Sequence, residues 1–158
     1  MSNYELNDIE SEVQEQEEQA EDLNLQIEQH EERVDKWATA LQELKQLNGD
    51  VSSDALRNAE ASAEKGKSET EYKLRELTEQ REHLLEENQE KSETVREAYD
   101  GRSKAMDKIG ILEIVSGEAS SDEKSFIDDV KSSLMSDMGK LAELDGKLND
   151  IRRKLEQK

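Results

Sequence analysis

Apolar residues recur along the first part of the chain at alternating steps of three and four residues. This spacing is the 3.5-residue repeat of a coiled-coil seam, and it predicts one long helix. The helix is expected to stop at Asn48-Gly49-Asp50, because glycine can adopt the left-handed conformation that ends a helix, and a turn follows at about residues 48–54. The seam positions are Leu6, Ile9, Val13, Gln16, Ala20, Leu23, Ile27, His30, Val34, Trp37, Leu41 and Leu44.

A second helical segment, from about residue 55, has a weaker seam of its own but matches the first segment if the chain folds back at the turn. Facing residues then have numbers that add up to 104, which sets Gln16 against Asn88 and places Trp37 next to Gly66. We therefore expect an antiparallel coiled-coil hairpin over residues 1–115. Asp100-Gly101 leaves the continuity of the second helix open, because both are poor helix formers. The predicted hairpin core is Ile9, Leu23, Ile27, Val34, Trp37, Leu41, Leu77, Leu84 and Val95.

A third segment follows a small polar linker at residues 116–121, which ends in the capping-box pattern of Ser120 and Glu123. Residues 122–158 predict an amphipathic helix that packs on the hairpin or on a partner. The predicted fold is all-α: a long antiparallel hairpin plus a third long helix, an elongated three-helix bundle. The third helix carries more apolar seam than a thin hairpin needs, and we predict that it contributes an interface for assembly. Those interface residues are Ile127, Val130, Leu134, Leu141, Leu144, Leu148 and Ile151.

Composition narrows the fold and function classes further. Of 158 residues, 41 are acidic and 22 basic, which gives a net charge of −19, while 32% are hydrophobic and 3% aromatic. Such a chain cannot fill a thick α/β or β-sandwich core. Its charge opposes binding to nucleic acid and to anionic lipid. Without an apolar run long enough to span a bilayer or a signal-peptide pattern at the start, we expect a cytoplasmic protein without membrane insertion, with export lacking a cleavable signal peptide as an option.

Candidate chemistry is sparse. The chain has no cysteine, its two histidines, His30 and His83, lack the Glu-x-x-His spacing of di-iron bundles, and its glycines stand singly. No phosphate-binding loop or calcium-binding loop pattern is present. We therefore expect no catalytic, cofactor-binding or metal-binding residues, and no enzyme.

The sequence favours a protein-binding role. We predict a non-enzymatic helical interaction module, such as an adaptor, a scaffold or a chaperone-like subunit, that binds another helical protein, or a second copy of itself, by coiled-coil packing. One alternative is an acidic nucleic-acid mimic that inhibits a DNA-binding protein.

A second alternative rests on a resemblance. Tyr4 with Asp8 and Tyr72 with Glu76 form a tyrosine-x-x-x-acid pattern that resembles an export signal of the WXG100 proteins of type VII secretion systems. The resemblance implies a small helical accessory, partner or substrate of such a system. The chain departs from that family's pattern, because Trp37 lies inside a helical segment rather than in the turn.

Overall fold

In the computed structural model the chain folds into three α-helices that pack against one another, which confirms the all-α three-helix prediction. The structure describes residues 3–47, 49–115 and 121–157, with side chains over 5–47, 49–112 and 124–157. The helices are α1 (Asn3–Gln46), α2 (Ser53–Val115) and α3 (Ser121–Glu156). The predicted linker at 116–121 lies outside the described residues except for Ser121, which begins α3.

The turn between α1 and α2 forms as its sequence predicts. Gly49 has a φ of 99°, in the left-handed region that favours glycine. The amide of Asp50 donates to the carbonyl of Leu47 at 2.9 Å. Ser52 caps α2, because its hydroxyl oxygen accepts the amide of Ala55 at 3.3 Å. The helix pair therefore turns back where the heptad pattern stops.

Helix α2 runs unbroken through Asp100 and Gly101 to Val115. Gly101 lies on an exposed face, where the absent side chain removes no packing contact. The next residue, Arg102, is buried and paired with Asp137 of α3, so tertiary contacts hold the helix together at this point. Packing against α3 thus outweighs the local cost of glycine.

The chain divides into two compact units. The first consists of residues 1–18 and 85–158 and contains parts of all three helices; the second, residues 19–84, is the α1–α2 hairpin alone. In the first unit α2 runs antiparallel both to α1, as the pairs Glu12–Lys91 and Gln16–Asn88 show, and to α3, as the pairs Arg96–Asp145 and Arg102–Asp137 show.

The hairpin core forms largely as predicted. Six of the nine core residues are buried: Ile9, Ile27, Leu41, Leu77, Leu84 and Val95. Leu23, Val34 and Trp37 are half-buried. All three belong to the two-helix unit, in which Ile27 and Leu77 are buried all the same.

Candidate protein-binding groove

A groove between α2 and α3 of the first unit begins alongside the first described turns of α1 and continues beyond the level of Asn3. Gln16 faces Asn88, so by the same register Asn3, the first residue of α1, lies opposite position 101 of α2. Beyond that level α2 and α3 still pair with each other, as the contact of Arg102 with Asp137 shows. The described part of α1 therefore covers the α2–α3 pair over only part of its length.

The groove has a volume of about 800 Å³. It is lined by Thr94, Glu97, Ala98, Gly101, Arg102 and Ala105 of α2 and by Val130, Ser133, Leu134 and Asp137 of α3. Thr94 and Gly101 are seven residues apart and Glu97 is one helical turn from each of them, so they form one edge of α2. We call this feature the α2–α3 groove.

The floor of the α2–α3 groove is held by a buried ion pair. The Nε of Arg102 donates to Oδ2 of Asp137 at 3.2 Å, and its Nη1 donates to the carbonyl of Ala98 at 3.3 Å. The two charged side chains are only 9% and 16% exposed. Because the charges neutralise each other, the pair fixes α2 against α3 and leaves no net charge on the floor.

Small residues leave space above this floor. Ala98, Gly101 and Ala105 are spaced by three and four residues along α2, so they share one face. A Cβ atom added to Gly101 would meet no atom within 4 Å. A helix lying in the groove could therefore approach α2 closely with bulky side chains of its own.

Exposed apolar side chains lie at the same end of the two helices as the groove. Leu112 of α2 is 54% exposed, and Phe126 and Val130 of α3 are 72% and 38% exposed. Val130 lines the groove itself. These side chains add apolar surface that a helix in the groove could cover.

A buried polar layer lies further along the first unit. Asn88 is 1% exposed, and its Nδ2 donates to Oε1 of Gln16 at 3.3 Å and to the carbonyl of Leu148 at 3.0 Å. Its Oδ1 is buried without a hydrogen-bond partner. This layer links all three helices in one register, because a slip along any of them would leave more polar atoms unpaired.

The second unit has a smaller groove beside the turn, of about 550 Å³. It is lined by Trp37, Ala40, Glu43, Leu44, Leu47, Ala59, Ser62 and Ala63. Trp37 fills the space beside Gly66, as the register predicts: a Cβ atom at Gly66 would lie 2.5 Å from Cζ2 of the indole ring. The tryptophan therefore packs within the chain.

The predicted interface of α3 divides into two parts. Leu141, Leu144, Leu148 and Ile151 are buried in the core of the first unit, which corrects the expectation that they face a partner. An apolar seam shows that a face is covered but does not show by what, and here α1 and α2 cover it. Ile127 and Leu134 are half-buried and Val130 is exposed, and Val130 and Leu134 line the α2–α3 groove.

The described residues add little toward other chemistry. His30 is half-buried, and its Nδ1 lies 2.8 Å from the carbonyl of Gln26 within the same helix. Tyr72 is exposed, whereas the side chain of Tyr4 lies outside the described residues.

Over the described ranges, His, Asp and Glu form no group of three that could hold a metal ion. No described helix combines the length and apolar character needed to cross a membrane.

Comparison of the chain with protein-family models, with curated proteins and with solved structures gives no match.

Proposed function

We propose that this chain is a non-enzymatic, helical protein-interaction module that binds a helix of another protein in the α2–α3 groove. The observation that carries the proposal is the groove between α2 and α3, which has small residues along α2 and the exposed Val130 in its lining. A third helix placed in the groove would continue the path of α1 and extend the three-helix packing of the first unit.

The groove sets the size of the expected helix. Beyond the level of Asn3, the α2 side from Arg102 to the exposed Leu112 is about 15 Å long at about 1.5 Å per residue. About three turns of a partner helix, with apolar residues at steps of three and four, would cover that length. One of its larger side chains would lie over Ala105, and others would cover Val130 and Phe126.

The test uses a synthetic three-heptad helix with leucine at its seam positions and glutamine at the flanking positions, labelled with a fluorophore. Fluorescence anisotropy of the labelled peptide with the full chain is expected to give one-to-one binding with a dissociation constant on the order of 1–100 μM, the range of modest helix-in-groove contacts.

Ser133→Trp provides the matched perturbation, because Ser133 is exposed and lines the groove. We expect this variant to weaken binding at least tenfold by filling the groove. Ser132→Trp is the control: the residue is exposed, next in sequence and absent from the groove lining, and it should change the affinity less than twofold. Equal affinities for the two variants, or no binding by the unmodified chain, would refute the proposed function.

A further inference from the structure

We infer that the helix accepted by the α2–α3 groove is an acidic one, with glutamate or aspartate flanking its apolar seam, although the chain itself is strongly acidic. This inference rests on the proposed function and specifies the partner of the same groove. Two observations carry it: the kind of helix that α2 and α3 already bind, and the charges along the edges of the groove.

The first observation is the helix that already occupies the space in line with the groove. In the first unit, residues 5–18 of α1 contain seven acidic and no basic residues. Leu6, Ile9 and Val13 of this segment are buried in the core of the unit. At its edge with α2, Glu12 forms an ion pair with Lys91. The α2–α3 pair thus binds an acidic amphipathic helix along one stretch of its surface.

The second observation is the set of charges along the groove edges. Lys108 continues the seven-residue series of Thr94 and Gly101, and Lys104 follows Glu97 by the same step, so both lysines lie on the α2 edge. On the α3 edge, Lys140 follows the lining residue Ser133 by seven residues, and Asp129 precedes it by four. The Arg102–Asp137 pair on the floor is neutral. The two edges therefore carry three lysines and two carboxylates, those of Glu97 and Asp129.

Local charges decide this preference more than the net charge of −19 does. Exposed charges farther away than the Debye length, about 8 Å at physiological ionic strength, are largely screened. A helix over Ala98 and Ala105, which continue the series of Lys91, would have its flanking residues beside the edge that carries Lys104 and Lys108. Glutamates at those flanks would gain ion pairs, and lysines would meet like charge.

The experiment compares two further peptides with the same leucine seam, one with glutamate and one with lysine at every flanking position. Anisotropy in low salt with the full chain should show at least fivefold tighter binding of the glutamate peptide. In 1 M sodium chloride the difference should shrink below twofold while both peptides still bind through the seam.

Two double variants separate local from global charge. Lys104→Glu with Lys108→Glu should reverse the peptide preference. Lys45→Glu with Lys65→Glu makes the same change in net charge at exposed positions of the second unit and should leave the preference within twofold. Reversal by both double variants would overturn the inference, because the preference would then follow net charge.

The outcomes distinguish the inference from the proposed function. Equal binding of the two peptides, or tighter binding of the lysine peptide, overturns the acidic preference and leaves the groove as a helix-binding site. Binding of neither peptide overturns both. Analytical ultracentrifugation that gave twice the mass of one chain, with dimerisation lost in Ser133→Trp, would assign the groove to a second copy and overturn the inference.

Discussion

The contact between Trp37 and Gly66 allows the register of the hairpin to be tested with a single methyl group. In Gly66→Ala the added Cβ atom would lie 2.5, 2.7 and 2.8 Å from Cζ2, Cε2 and Cη2 of the indole ring. Carbon atoms in contact prefer separations of about 3.5–4.0 Å, so the ring would have to retreat by about 1 Å. The ring is half-buried, so such a shift would change the contacts that it makes on its buried side.

Two opposing terms set the size of the effect. Replacing glycine by alanine inside a helix stabilises it by about 1 kcal/mol. Forcing a methyl group into filled space costs about 1–3 kcal/mol. We therefore expect Gly66→Ala to lower the free energy of unfolding by about 1 kcal/mol, the difference between these terms.

Gly139→Ala is the matched control, because a Cβ atom at Gly139 would meet nothing within 4 Å. This variant should raise the free energy of unfolding by about 1 kcal/mol from helix propensity alone. Urea titrations followed by circular dichroism measure both changes, and the fluorescence of Trp37, the single tryptophan, reports on the second unit.

A double-mutant cycle isolates the contact itself. Trp37→Phe removes the six-membered ring of the indole that approaches Gly66. In that background Gly66→Ala should become stabilising, with a coupling energy of about 1–3 kcal/mol. Equal stabilisation of the original chain by Gly66→Ala and by Gly139→Ala would contradict the Trp37–Gly66 contact. It would mean that the indole ring does not lie over Gly66.

Two further predictions concern the polar contacts of the first unit, and both use the same urea titration. Asn88→Leu combined with Gln16→Leu should raise the free energy of unfolding by about 1–3 kcal/mol, because it removes the unpartnered Oδ1 and fills the layer with apolar side chains; a loss of stability would show that the polar layer contributes net binding energy. Asp137→Ala should lower it by about 2–4 kcal/mol, because it removes the carboxylate that neutralises the buried guanidinium of Arg102. A change below about 0.5 kcal/mol, the usual range for surface substitutions, would contradict that assignment.

The sequence predicted the helix pairing well because register is encoded by spacing. The apolar steps of three and four gave the face of each helix, and the position of the turn gave the partner of each residue. Gln16 with Asn88 and Trp37 beside Gly66 both follow from that arithmetic. Both pairs are set by two quantities that can be read from the sequence: the position of the turn and the spacing of the apolar residues.

The candidate groove could not be predicted in the same way, because it depends on how three helices share their seams. The α3 seam was compatible with the hairpin or with a partner, and only the packed structure assigns Leu141 and Leu148 to the core. One signal was available: Asp137 occupies a seam position of α3, where a carboxylate calls for a buried cationic partner. Arg102 is that partner, and its position determines the floor of the groove.

The exposed side chains at the α2–α3 end bear on the proposed helix-binding role. Helix α1 presents mainly glutamate and glutamine to solvent over residues 10–19, and these side chains remain hydrated in the isolated chain. At the far end of α2 and α3, Leu112, Phe126 and Val130 are exposed instead. Exposed apolar side chains gain nothing for an isolated chain, since water remains against them, whereas a helix laid in the groove would bury them beside Leu134. These exposed side chains are therefore the surface on which the proposed helix binding can be tested.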